Sequence, residues 1–252
     1  MSHHSDHEAE HTPEAIRARV EASQSQGYLK DSIYGAIDGA VTTFAVVSSV
    51  TGAGLSSGIV IILGLANLLA DGFSMAAGNF LGTRAEIQSQ RKARREEEIE
   101  IETNPKGEVE EIRQIYATKG FEGETLEEIV TVITSDKKRW LDTMMLEEHG
   151  VIGFNPSALR AGLATFGAFI IIGGIPLLAY VVDLIDPTLI GDPFAPSCLL
   201  TGIAFFSIGA LKSRYVEQHW ALSGTETLSI GALAALVAYG IGILLRPFAE
   251  GL

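Results

Sequence analysis

Five blocks of apolar residues, each about the length of one membrane crossing, punctuate this chain. They cover about 32–53, 57–83, 157–183, 196–211 and 226–246. A helix needs roughly 20 apolar residues to cross about 30 Å of hydrocarbon. A soluble domain would break such runs with polar positions at helix or strand period. The pattern therefore predicts an all-α membrane protein with five transmembrane helices. The first two blocks are joined by the short turn GAGLSSG, so they form an antiparallel hairpin.

The stretch 84–155 is different in kind: it carries 17 Asp/Glu and 11 Lys/Arg. Helical periodicity persists, with breaks at Asn104-Pro105 and at Gly120-Phe121-Glu122-Gly123. Three cytoplasmic helices are predicted here, inserted between membrane helices 2 and 3, at about 84–103, 105–119 and 124–149. No Gly or Pro interrupts Thr83 to Thr103, so the second membrane helix is expected to run straight into the first of them. Thr125 and Glu128 have the spacing of a capping box at the start of the third. The domain reading is a polar N-terminal segment 1–30, membrane helices 1 and 2 in 31–83, a Glu-rich unit 84–155, and membrane helices 3 to 5 in 156–252.

Charge and composition narrow the function classes. A net charge of −13 argues against nucleic acid, whose phosphates need clustered Lys and Arg. The single cysteine, Cys198, excludes an intramolecular disulfide and any CxxC zinc site. The opening MSHHSDHEAEHT lacks the basic and apolar regions of a secretory signal, so the first membrane helix is expected to direct insertion. His3, His4, His7 and His11 form a histidine-rich tract, for which metal binding and an incidental origin both stay open. Residues 13–26 could form an amphipathic helix with Ile16 and Val20 on one face. Lys and Arg set orientation. Arg84, Arg91, Lys92, Arg94 and Arg95 follow helix 2, and Lys212 and Arg214 follow helix 4, whereas 54–56 and 184–195 have no basic residue. The N-terminus and 84–155 are expected in the cytoplasm.

The chemistry-bearing residues fall in both regions. Asp38 lies within the first apolar block, and a carboxylate inside a membrane helix costs roughly 2.5–3.5 kcal/mol on insertion scales. Asp31 and Asp38 are seven apart and share a helix face; Asn67, Asp71 and Met75 are spaced by four and line one face of helix 2. Carboxylates, a carboxamide and a thioether together suit a divalent transition metal. Gly35 with Gly39, and Gly78 with Gly82, have the spacing that lets helix backbones approach, within the chain or across a dimer seam. In the polar stretch, Glu97 with Glu100 and Glu108 with Glu111 are i, i+3 pairs that can each share a cation. For any one Glu, a solvated acidic face paired to nearby bases is the competing reading. Met144, Met145 and Glu148 follow. No Glu-x-x-His pair of the di-iron type is present, His149 directly following Glu148.

The segments YGAIDGAVTTFAVVSSVTGAG, LANLLADGFSMAAGNFLGTRAE and WLDTMMLEEHG resemble the vacuolar iron transporter family, over nearly the whole chain from about residue 28. The resemblance implies a five-helix homodimer exchanging Fe2+ for protons. It places the family's membrane aspartate on Asp38, with Asp31 one to two turns earlier, and its pathway methionine on Met75. It places the cytoplasmic metal-binding residues on Glu97, Glu100, Glu108, Glu111, Glu148, Met144 and Met145. Eukaryotic members carry a glutamate where Asn67 stands, and Asp71, one turn on, is the candidate replacement.

The expectation is thus a transporter, not an enzyme, moving Fe2+ or Mn2+ out of the cytosol by proton antiport. No cofactor is expected to be permanently bound; Fe2+, Mn2+, Zn2+ or Co2+ would be substrate and protons the coupling ion. Expected partners are metal ions, membrane lipid and a second copy, without nucleic acid. The expected site is a bacterial plasma membrane, or a vacuolar-type membrane in a eukaryote. The alternative is a membrane-anchored iron-binding or sensing protein without transport.

Overall fold

The computed structural model describes residues 12, 28–151, 156–214 and 218–249. The four N-terminal histidines and the expected 13–26 helix lie outside the described residues. In chain order the helices are α1 Leu29–Gly52, α2 Ser57–Thr103, α3 Pro105–Thr118, α4 Gly123–Thr134, α5 Lys137–Glu147, α6 Ala158–Gly173, α7 Leu178–Ile185, α8 Phe194–Lys212 and α9 Trp220–Ala249, with no strand among the described residues. Five spans, Leu29–Gly52, Ser57–Thr103, Ala158–Ile185, Phe194–Lys212 and Trp220–Phe248, are long and apolar enough to cross a membrane. The described residues divide into two compact units, one made of 28–82 with those from 157 onward, the other of those in 83–156.

The apolar unit is built around α1, which packs on α6, α8 and α9. Its core joins Phe44, Val47 and Val50 of α1 to Val60 and Leu68 of α2, Phe169 of α6 and Phe205 of α8. Lipid tails are as apolar as these side chains, so helix association rests on close packing rather than on escape from water. Glycine supplies the approach. A Cβ on Gly35 would lie 2.4 Å from the Thr165 carbonyl oxygen, and one on Gly39 would lie 2.6 Å from that of Phe169. Gly173 meets Gly39 in turn, a Cβ there falling 2.8 Å from Gly39 backbone. The Gly35/Gly39 pair therefore serves a contact inside the chain. A Cβ on Gly78 or Gly82 would meet nothing within 4 Å.

The hairpin turn and the third span carry their own local chemistry. Gly54 sits at φ 73°, the left-handed region open to glycine. Thr51 and Tyr180 hydroxyls are 2.6 Å apart, and the Ser57 hydroxyl donates to Asp183 Oδ2 at 2.6 Å, tying both ends of the turn to α7. The third span, expected as one helix over 157–183, is interrupted. α6 ends at Gly173, a 3-10 turn covers Ile175–Leu177, and α7 resumes at Leu178. Pro176, inside that turn, has no N–H to give an α-helical bond.

The second unit is the acidic arm. α2 passes unbroken from the apolar block to Thr103, as the absence of Gly and Pro predicts. Asn104 then caps α3, its side chain accepting from Gly107 N at 3.4 Å, with Pro105 at the first helical position. The helix expected over 124–149 is two helices. Asp136 ends the first and caps the second, its carboxylate accepting from Arg139 N at 2.7 Å. The Thr125–Glu128 capping box is not formed. α4 starts at Gly123, φ 56°, so Thr125 already lies inside the first turn. The arm core gathers Ile101, Ile112, Val130, Ile133, Trp140 and Leu141.

Gly39→Ala forces a methyl against α6 backbone, and overpacking of this kind costs about 1–3 kcal/mol. Thermal unfolding in detergent should show that loss, whereas Gly240→Ala, where a Cβ meets nothing within 4 Å, should leave the midpoint unchanged or slightly higher.

Candidate metal centre

The arm holds five carboxylates together without a Lys or Arg partner among the described residues. The remaining acids around them are mostly occupied. Lys137 bonds Glu98 at 3.1 Å and Glu102 at 2.5 Å, Arg94 bonds Asp142 at 2.8 Å, and Arg113 holds Glu110 and Glu127. Lys119 pairs with Glu147. The solvated-face reading is correct for those residues. Glu97, Glu100, Glu108, Glu111 and Glu148 instead interact with one another, each repelling several of the others.

Two of the five are withdrawn from water. Glu97 is 2% exposed and Glu108 3% exposed, and Glu97 Oε1 and Glu108 Oε2 are buried without a hydrogen-bond partner. Burial pushes the Glu108 carboxyl up to about 7, helped by a hydrogen bond to Glu97 and by the surrounding negative charge. Burial also raises Glu97, with the Glu148, Glu100 and Glu111 charges adding to it and the bond from Glu108 opposing it. Glu111, more exposed, is raised by partial burial and then by Glu108 and Glu148. Such a cluster favours uptake of protons or a cation, because no Lys or Arg among the described residues pairs with it and His149 is its one basic neighbour there.

Ligand-atom geometry sorts the cluster into two overlapping groups. Oxygens of Glu97, Glu100 and Glu108 lie within 4.8 Å of one another, and so do ligand atoms of Glu97, Glu148 and His149. The two i, i+3 pairs thus converge: Glu97 and Glu100 lie on α2, Glu108 and Glu111 on the first two turns of α3. Met144 and Met145 are buried in the arm's apolar core beside Trp140 and Leu141.

In the apolar unit, Asp38 of α1 is half-buried and has Asp71 of α2 as its charged neighbour. Met75, one turn beyond Asp71, packs on the apolar core. Asn67, one turn before it, has its side-chain nitrogen buried without a partner. Asp31, in the first turn of α1, accepts from Asn79 Nδ2 at 3.0 Å. The same nitrogen reaches Thr165 Oγ1 at 2.7 Å and the Ala161 carbonyl at 3.3 Å. The groove between α8 and α9, lined by Cys198, Gly202, Ile203, Phe206 and Leu228, contains none of these residues.

Sequence reasoning missed Asn79 and His149. Asn79 continues the period-four series of Asn67, Asp71 and Met75 by one turn, so the signal was present. His149 had none, because it lies past the end of α5. Glu148 is the C-cap there, and helix spacing no longer says where the next side chain points.

Comparison with known proteins identifies the family of the chain. The model of the VIT family matches residues 29–243. A vacuolar iron transporter of Toxoplasma gondii is 33% identical over 247 residues, covering 96% of this chain and 78% of that protein. One from Plasmodium falciparum is 31% identical, covering 86% of this chain and 82% of its own length. Vacuolar iron transporter 1 of Arabidopsis thaliana is 31% identical over 212 residues, covering 84% and 83%.

The Glu97/Glu108 pair gives the arm a signed pH dependence. Both groups titrate above the ordinary value of 4.5, Glu108 at about 7. The Glu108 contribution to stability is therefore full below about 4.5 and lost as pH rises through about 7, and that of Glu97 is lost in the same direction. With Trp220→Phe, Trp140 is the single remaining tryptophan and reports arm unfolding. Its thermal midpoint in metal-free protein should be higher at pH 5 than at pH 8, and Glu108→Gln should flatten the difference.

Proposed function

The chain belongs to the VIT family, and from that premise we propose that it exports a divalent transition metal, Fe2+ or Mn2+, from the cytosol in exchange for protons. The observation that carries the reading is the pairing of Asp38 with Asp71 inside the apolar unit. Two like charges withdrawn from water need a proton or a cation between them. A metal ion arriving at the pair displaces protons, and its departure lets protons return. That exchange is an antiport step. Met75, on the same face of α2, adds a soft donor that favours transition metals over magnesium or calcium. Asn67 adds an amide to the same face, and Asp31, held by Asn79, marks one end of the pathway.

The arm fits as the collector. Glu97, Glu100, Glu108, Glu111 and Glu148 bind the ion on the cytoplasmic side, and Met144 and Met145 belong to this set as softer donors. The protein acts as a homodimer, with the open Gly78/Gly82 face of α2 meeting a second copy. The membrane is a bacterial plasma membrane, or a vacuolar-type membrane in a eukaryote.

Flux into proteoliposomes under an imposed pH gradient tests the proposal. Asp38→Asn removes the charge but keeps the size. Losing an interaction worth about 1.4 kcal/mol or more in the transport step slows flux at least about tenfold. The thermal midpoint should be retained. Metal binding with no flux in the unmodified protein would instead support a membrane-anchored binding or sensing protein. Competition between Fe2+ and Mn2+ in the same assay orders the two substrates.

A further inference from the structure

We infer that His149 is a nitrogen ligand of a second metal position in the arm, one that shares Glu97 with the all-carboxylate position beside it. The inference rests on the reading of the arm as metal-binding and adds to it a donor of a different kind.

Three observations support it. Ligand atoms of Glu97, Glu148 and His149 lie within 4.8 Å of one another. Glu97 is 2% exposed, and its Oε1 is buried with no donor from Lys, Arg or backbone among the described residues. His149 Nε2 stands 3.4 Å from Glu97 Oε2. That is long for an N–H···O bond, which prefers about 2.7–3.2 Å. It equals the nitrogen–oxygen edge of about 3.4 Å expected when both atoms sit about 2.1 Å from one tetrahedral metal ion.

Local structure explains why an imidazole reaches this place. α5 ends at Glu147, and Glu148 caps it in helical conformation, its N–H donating to the Met144 carbonyl. Gly150 then turns through φ 64°, and Val151 N–H bonds back to the Met145 carbonyl at 2.9 Å. This closure fixes the two residues before the glycine. Glu148 and His149 both come to Glu97, although adjacent residues within a helix would diverge by about 100°. Met144 and Met145, buried beneath the same turn, hold it against the arm core.

The two positions differ in taste. Glu97, Glu100 and Glu108 offer only oxygen, which suits manganese or magnesium. Glu97, Glu148 and His149 offer two oxygens and an imidazole, which suits iron, cobalt or zinc. The arm thus selects borderline metals at one position while binding harder ones at the other.

The test uses the full-length protein in detergent, with His3, His4, His7 and His11 changed to Ala so that no N-terminal imidazole contributes. Cu2+, a paramagnetic ion that imidazole suits, is loaded and measured by pulsed electron paramagnetic resonance for directly bound 14N, and Zn2+ and Mn2+ affinities are measured by calorimetry. A 14N coupling is expected, lost in His149→Ala and in His149→Gln. Changes around a metal's ligands cost about 10–100-fold in affinity, so each variant should weaken Zn2+ about tenfold. Mn2+ should weaken about threefold or less, since oxygen ligands suit it. Absence of the coupling, its survival in His149→Ala, or an unchanged Zn2+/Mn2+ ratio would overturn the inference. Glu97→Gln separates the two readings. If it weakens both metals while His149→Ala changes nothing, the carboxylate arm stands and His149 does not. If it leaves both metals unchanged, the metal-binding arm itself has failed.

Discussion

Like charges placed together away from water set the terms for this protein. A buried carboxylate without a partner is among the most expensive groups a fold can carry, and two side by side cost more. Glu97 and Glu108 are both nearly inaccessible and neither has a Lys or Arg partner among the described residues, while Lys137, Arg113, Arg94 and Lys119 are engaged by other acids at the arm's surface. His149 is the one base beside Glu97 among the described residues. Five carboxylates against one imidazole favour uptake of a proton or a cation. In the apolar unit Asp38, half-buried, has the like charge of Asp71 as its neighbour.

The backbone is shaped to maintain these encounters. In one continuous helix Glu108 would stand about 16 Å along the axis from Glu97. The cap at Asn104 and the proline after it end α2, and Glu108 returns to its neighbour's side. In the apolar unit, the glycines of α1 let α6 approach until Asn79 of α2 can bond both Asp31 of α1 and Thr165 of α6. One amide nitrogen reaches three acceptors, so from α2 it links α1 and α6.

Much of this was legible in the chain itself. The five spans follow from block length, the unbroken α2 from the absence of breakers, and each glutamate pair from its i, i+3 spacing, though not the meeting of the two pairs. What was hidden lay where periodic rules stop applying. Pro176 divides the third span because a missing N–H outweighs an apolar context. Asp136 divides 124–149 because a side-chain acceptor competes with the helix for a backbone N–H. Thr125 lost its capping role to a start two residues earlier at Gly123. His149 became a candidate ligand only through a turn whose course no repeat encodes.

A collector in front of a transport step must hold its ion firmly enough to select it and loosely enough to give it up. Conduction past adjacent sites meets both demands when the sites are not independent. A carboxylate shared between two positions has one charge to offer. On the proposed reading, an ion at Glu97, Glu148 and His149 would draw on the same group that serves Glu97, Glu100 and Glu108, so a second ion arriving would weaken the hold on the first. The buried glutamate that makes the cluster costly to fold would then also be the group through which one bound cation promotes release of another.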